Sequence, residues 1–224
     1  MKRLLALETS SDIGSVALLI GEEIAERTIA SPREQTGTIL PHVQTLLAEA
    51  GLTLNDLDGV SFGRGPGSFT GLRVATAVAQ GLGLALDLPL LPVSSLAAIA
   101  QGVLRTHGIA QSLVCVDARM GEVFWASYEL HDGRALLRGA EELGEPSAVR
   151  WDGSRPWAAA GSGFAAYASE LAAVVAQADA LLPECNPSAR DLIPQALEDL
   201  LHGRTETFAT ALPVYLRRAG AWQR

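Results

Sequence analysis

Apolar and polar positions along the chain fall into blocks whose period changes in a recurring order. The first thirty residues read LLALETSS, GSVALLI and IAERTIA. The first run closes on an acid and three hydroxyl residues, and a turn at 21–23 separates the second from the third, so the pattern predicts three strands in a meander. From Leu113 the same order returns: LVCV ending at Asp117, a loop closing at Gly121, the alternating EVFWASYEL, and an Asp-Gly hairpin signal at Asp132-Gly133. The two passages share pattern rather than identity, which predicts an architecture duplicated within one chain.

Helical periods lie between and after these meanders. Residues 38–50 predict a helix capped by Thr38, with Pro41 in its first turn and Gly51 as its stop; Ile39 or Leu40, Val43, Leu46, Leu47 and Ala50 share one face. The strand GVSFG leads into a glycine cluster and a long helix over residues 69–86, then the strand LPLLPV and a helix over 95–106. Later, PWAAAGSGFAAYASEL reads as strand, turn and helix, and residues 187–202 as a further helix. The sum is an α/β chain of two lobes, 1–108 and 109–224, each a mixed sheet flanked by helices, with the final segment placed to pack back on the first lobe.

The glycine cluster, GRGPGSFTGLR at 63–73, raises the question of phosphate binding. A nucleoside-triphosphate loop needs a lysine and a hydroxyl after its last glycine, and Gly71 is followed by Leu72. The dinucleotide fingerprint lacks its third glycine, and the strand LPLLPV ends without the acid that would hold a ribose. Glycines at a helix start also permit a sharp turn and a close approach, with Ser68 or Thr70 as the cap. In the helix that follows, Gly71, Ala75, Ala79 and Gly83 recur every four residues as a ridge of small side chains, while larger apolar residues occupy the rest of the circumference. Such a helix must be covered on more than one side. Either its own domain covers it, or the ridge admits a helix of another subunit.

Composition narrows the function classes. A formal charge of −8 argues against a chain that grips nucleic acid by itself, since phosphate neutralisation needs a basic face. The local basicity of YLRRAGAWQR fits a solvated end. Apolar stretches interrupted by Gly, Pro or charge, and an early acid in MKRLLALETSS, lead to the expectation of a cytoplasmic protein without a membrane segment. Two cysteines and four scattered histidines suggest neither a disulfide framework nor a metal site. No nucleophile or Ser-His-Asp set stands out, so no catalytic residue is assigned.

Glu8 and Asp117 each close a strand before hydroxyl or small residues, where an actin-like ATP-dependent fold places its phosphate turns. Gly161-Ser162-Gly163 falls where such a fold receives adenine. Thr9, Ser10, Gly161 and Gly163 are therefore weak nucleotide candidates. The turns ETSSDIGS and DARMGE are poor in glycine, and the expectation is no tightly bound cofactor.

GRGPGSFTGLRVATAVAQGLGLAL, together with LALETSS, PREQTGTILPHV, VDARMGEVFWASY, the Gly161–Gly163 turn and PVYLR, closely resembles the TsaB (YeaZ) family over essentially the whole chain. These are bacterial subunits of the machinery that makes threonylcarbamoyladenosine in tRNA. The resemblance implies a duplicated actin-like fold (ASKHA, ribonuclease H-like) shared with the catalytic subunit TsaD, whose H-x-x-x-H metal motif is replaced here by LAAIAQGVL at 96–104. It further implies a non-catalytic partner of TsaD that works with the ATPase TsaE, reaches tRNA through the complex, forms a homodimer when alone, and leaves open ATP or ADP at the junction with TsaD. The family pairs through a helical bundle of the N-terminal lobe. On that basis the partner-facing residues are Leu40, Val43 and Leu47 on the first helix, and Arg64 and Gly67 in the glycine turn. On the second helix they are Phe69, Gly71, Leu72, Ala75, Ala79, Leu82 and Gly83. The competing classes are an independent actin-fold ATP-binding enzyme and a glycoprotease-like peptidase.

Overall fold

The computed structural model describes residues 1–217, so the last part of the basic YLRRAGAWQR stretch lies outside the described residues. In chain order the elements begin with β1 (Arg3–Glu8), β2 (Gly14–Ile20), β3 (Glu23–Ile29), α1 (Pro32–Glu49), β4 (Gly59–Gly63), α2 (Phe69–Leu86), β5 (Leu90–Val93) and α3 (Ser95–His107). They continue with β6 (Gln111–Arg119), β7 (Glu122–His131), β8 (Arg134–Gly144), β9 (Ala158–Ala160), α4 (Gly163–Ala166), α5 (Ala172–Val175), β10 (Ala180–Leu182) and α6 (Ala189–Leu201). The chain divides into two units, Met1–Ala98 with Pro187–Pro213, and Ile99–Asn186 with the segment from Val214 onward. The division falls inside α3 rather than after residue 108, and α6 belongs to the first unit although the sequence put it in the second lobe.

In the first unit the strand order is β3-β2-β1-β4-β5, with β3, β2 and β1 antiparallel and β1, β4 and β5 parallel. Alternate side chains of a strand point to opposite faces. Leu5, Leu7, Val16 and Leu18 therefore meet Ile39, Val43, Leu46 and Leu47 of α1 and Ala75, Ala79 and Leu82 of α2. Leu4, Ala6, Ala17 and Leu19 meet Ala98 of α3 and Ala189, Leu192, Ile193 and Ala196 of α6 on the other side. The second sheet, written β8-β7-β6-β9-β10, repeats the first strand for strand in order and direction. The duplication inferred from the two meanders is thus a duplication of topology. The hairpin at Asp132 (φ 49°) and Gly133 (φ 77°) takes the left-handed conformations an Asp-Gly turn favours.

Two local expectations are corrected. α1 starts at Pro32 and is capped by Ser31, whose Oγ accepts from Arg33 N at 3.3 Å; Pro41 sits inside the helix. Pro41 and the residue whose carbonyl its ring meets, Gly37, are both exposed, so the lost hydrogen bond faces solvent. The helix expected after Gly163 is the short α4, followed separately by α5. By length and composition α2 is apolar enough to cross a membrane, although Gly71, Arg73, Gly81 and Gly83 interrupt it as its sequence pattern shows. Its inward ridge is packed on its own sheet.

Candidate functional site

The glycine cluster folds down onto the turn that follows β1. A Cβ on Gly63 would lie 2.0 Å from a Glu8 carboxylate oxygen, one on Gly67 2.5 Å from the Ser10 carbonyl, and one on Gly71 1.7 Å from the Thr9 carbonyl. Thr9 Oγ1 donates to the Gly71 carbonyl at 2.6 Å, and Ser68 N donates to the Ser10 carbonyl at 2.7 Å. The glycines are there because the backbone of the α2 start and the backbone of the first turn touch. Thr9 and Ser10, candidates for nucleotide contact, are buried and engaged in this internal lock.

Glu8 lies beneath it. Its carboxylate accepts from Ser10 N at 2.6 Å and from Ser95 Oγ at 2.9 Å. Burial pushes the Glu8 carboxyl above the usual carboxylate range, against hydrogen bonds from Ser10, Ser95 and Thr9 that pull it down.

In the second unit, Gly161 (φ 106°) and Gly163 serve a similar packing purpose. A Cβ on Gly161 would lie 2.5 Å from the Cys115 carbonyl, and one on Gly163 2.6 Å from the Cys115 sulfur. Burial, helped by Asp117, pushes the Cys115 thiol up to about 12. The four nucleotide candidates thus lie two in each unit. Each is part of a close backbone approach.

The residues expected to face a partner divide sharply. Gly71, Leu72, Ala75, Ala79, Leu82 and Gly83 are buried, as are Val43 and Leu47. A Cβ on Gly83 would meet the Leu90 side chain of β5 at 3.0 Å. The small ridge therefore lets α2 sit close on its own sheet, which corrects its assignment to an outside subunit. Leu40 (46% exposed) and Phe69 (44%) do face solvent, and Arg64 and Gly67 are half-buried.

What α2 presents outward is a second row of small residues at the same spacing, Ala77, Gly81 and Ala85, all exposed, beside Leu84 at 62% exposure. No atom lies within 4 Å of a Cβ on Gly81. The first member of that row is Arg73, also exposed, and it was the signal available in the sequence: of two ridges with one period, the one containing a charge faces water. Alongside runs a groove of about 370 Å³ lined by Thr36 of α1 and Phe69, Thr70, Arg73, Val74, Ala77 and Val78 of α2. The Arg73 guanidinium lies over the Phe69 ring at 3.8 Å. The exposed positions of α1 from Thr36 to Ala48 (Thr36, Gly37, Leu40, Pro41, Gln44, Thr45 and Ala48) include no Asp, Glu, Lys or Arg. In a chain where 19% of residues are charged, two adjoining helices turn outward a face whose middle carries Arg73 alone.

Residues 25–150 match the family model of TsaD, tRNA N6-adenosine threonylcarbamoyltransferase. The tRNA threonylcarbamoyladenosine biosynthesis protein TsaB of Escherichia coli is 37% identical, covering 99% of this chain and 97% of that protein. The TsaB of Haemophilus influenzae is 34% identical over 99% and 96%. Among solved structures, YeaZ from Pseudomonas aeruginosa has a TM-score of 0.89 at 40% identity, covering 96% of this chain and 100% of that one. With full-length identity to these proteins and the fold of the solved YeaZ, the chain belongs to the family of the tRNA threonylcarbamoyladenosine biosynthesis protein TsaB, also called YeaZ.

Proposed function

We propose that this chain is the accessory subunit of a tRNA threonylcarbamoyl-transfer assembly. It docks on a TsaD-type transferase through the outer face of α1 and α2, works with a TsaE-type ATPase, and supports transfer to tRNA adenosine without catalysing it. The observation that carries the reading is that face: uncharged on α1 from Thr36 to Ala48, between exposed Arg33 and Glu34 at one end and Glu49 at the other, small at Ala77, Gly81 and Ala85 on α2, and edged by exposed Leu40, Phe69 and Leu84. Charge depletion with apolar anchors distinguishes the centre of a protein interface from ordinary surface. Small residues let a second helix approach closely. The match to a TsaD family model adds that the chain and its partner are built on related folds, so two copies of one helix pair can meet face to face. The same geometry admits a homodimer when the partner is absent.

Several features favour support over catalysis. Residues 96–104 hold no histidine where the transferase carries its metal-binding pair, and Thr9, Ser10, Gly161 and Gly163 are taken up by packing. ATP or ADP is assigned, on this reading, to the junction with the transferase, and the complex to the cytoplasm. The test is reconstitution with TsaD, TsaE, tRNA and preformed threonylcarbamoyl-adenylate. Modification that needs this chain, with no turnover by the chain alone, is expected. Equal modification without it, or ATP hydrolysis or peptide cleavage by the isolated chain, would overturn the proposal in favour of an independent enzyme.

A further inference from the structure

The turn between β6 and β7 is held in a conformation its sequence disfavours. Arg119 (φ 64°), Met120 (φ 60°) and Gly121 (φ 78°) are left-handed in succession, and only the glycine adopts that region freely. Among the described residues no other pair of adjacent non-glycine residues does so. Strain of this kind persists only where surrounding contacts over-determine it. Part of the restraint is local: Asp117 Oδ1 accepts from Arg119 N at 2.8 Å and from the Tyr167 hydroxyl at 3.2 Å, and Asp117 Oδ2 accepts from Arg119 Nη1 at 3.0 Å.

The rest comes from far along the chain. Arg217 Nη2 donates to the carbonyls of Ala118 at 3.3 Å and Arg119 at 3.4 Å and pairs with the Glu122 carboxylate, while Nη1 lies 3.5 Å from the Met120 sulfur. The Arg217 side chain is only 12% exposed, whereas that of Arg119 is 76% exposed. Nη2 has two N–H groups for three acceptors, so these bonds are shared, and the guanidinium charge lies against the Glu122 carboxylate.

The segment leading to Arg217 is itself anchored in the first unit. Leu90 and Glu206 exchange two backbone hydrogen bonds at 2.8 and 2.9 Å. Ala211 is fully buried, and its carbonyl accepts from Gln80 Nε2 at 2.8 Å. Gln80 stands on α2 between the outward residues Ala77, Gly81 and Leu84. The chain passes from the first unit to the second between Pro213 and Val214.

We propose that Arg217 is a positioning residue that clamps the β6–β7 turn in its left-handed form. The clamp stands on the contacts of Arg217 alone.

Hydrogen–deuterium exchange on the full chain tests the clamp. Arg217→Ala should raise exchange of the amides at 119–123 about tenfold while those at 113–115 stay as they are, and Arg217→Lys should give an intermediate rise. Met120→Gly relieves the strain, so adding Arg217→Ala to it should raise turn exchange less than threefold. Turn exchange unchanged by Arg217→Ala, or the same tenfold rise in the Met120→Gly background, would overturn the clamp.

Discussion

Gly71→Ala sets the glycine lock against ordinary helix energetics. The new Cβ would stand 1.7 Å from the Thr9 carbonyl oxygen, where ordinary contact begins at 3.4 Å, so two backbones must separate by about 1.7 Å. Neither yields easily. Thr9 follows β1, the middle strand of its sheet, and is fully buried, and Gly71 lies in the first turn of α2. Overpacking at the upper end of its usual range costs about 3 kcal/mol. Losing the buried bond from Thr9 Oγ1 to Gly71 adds about 1 kcal/mol. Alanine's better helix propensity returns about 1 kcal/mol. The net loss is about 3 kcal/mol, or roughly 6–12 °C in Tm for a chain of this size. Gly81→Ala on the same helix meets nothing within 4 Å and should gain up to about 1 kcal/mol, roughly 2–4 °C. Calorimetry or circular dichroism on the two variants measures the opposition in sign. A Gly71→Ala chain that unfolds at or above the parent's temperature would refute the account of the glycine cluster.

Glu8→Gln should change how stability depends on pH. Because burial raises the folded-state pKa of Glu8, the folded chain holds a proton the unfolded chain releases, and the parent loses stability as pH rises from the ordinary carboxylate value of 4.5 through the raised one. Urea unfolding from pH 4 to 8 should show that loss in the parent and not in the variant; parallel profiles would contradict it. Cys115, with its thiol at about 12, should resist a thiol reagent at pH 8 in the native chain, leaving Cys185 as the reacting group. Two equivalents titrated without denaturant would be the contrary result. Ala79→Leu should destabilise the first unit by about 1–3 kcal/mol rather than merely block association, because Ala79 is fully enclosed between α2 and its sheet; thermal unfolding at the parent's Tm would contradict it.

The elements set by local chemistry were legible. α2 runs from Phe69 to Leu86 as its pattern predicts, with Ser68 as the cap and its Oγ accepting from Gly71 N. The Asp-Gly turn and the repeated meander were equally plain. α1 was shortened because Thr38 and Pro41 mimic a helix start that Ser31 and Pro32 supply, and Pro41 is tolerated on an exposed side where its missing bond faces solvent. The assignment of α6 to the first sheet depends on contacts of Ala189, Leu192 and Ile193 with strands far back in the chain, and no local signal encodes that. Period alone does not separate the outward face of α2 from the inward one, because both ridges repeat every four residues. Periodicity fixes the spacing of a stripe and leaves its direction to the charge pattern. The grip of Arg217 on Ala118, Arg119 and Glu122 spans nearly half the chain and could be seen only in three dimensions.

The most direct measurement is the affinity of the purified chain for a TsaD-type transferase, by sedimentation or calorimetric titration, with Gly81→Arg and Ala77→Arg beside the parent. Both positions are exposed, so the variants should keep the parent's Tm within about 2 °C, consistent with surface substitutions of about ±0.5 kcal/mol. At the centre of a helix interface each should weaken association by at least about 2 kcal/mol, roughly 30-fold in Kd. Folded variants that bind the transferase as tightly as the parent would contradict the assignment of this face.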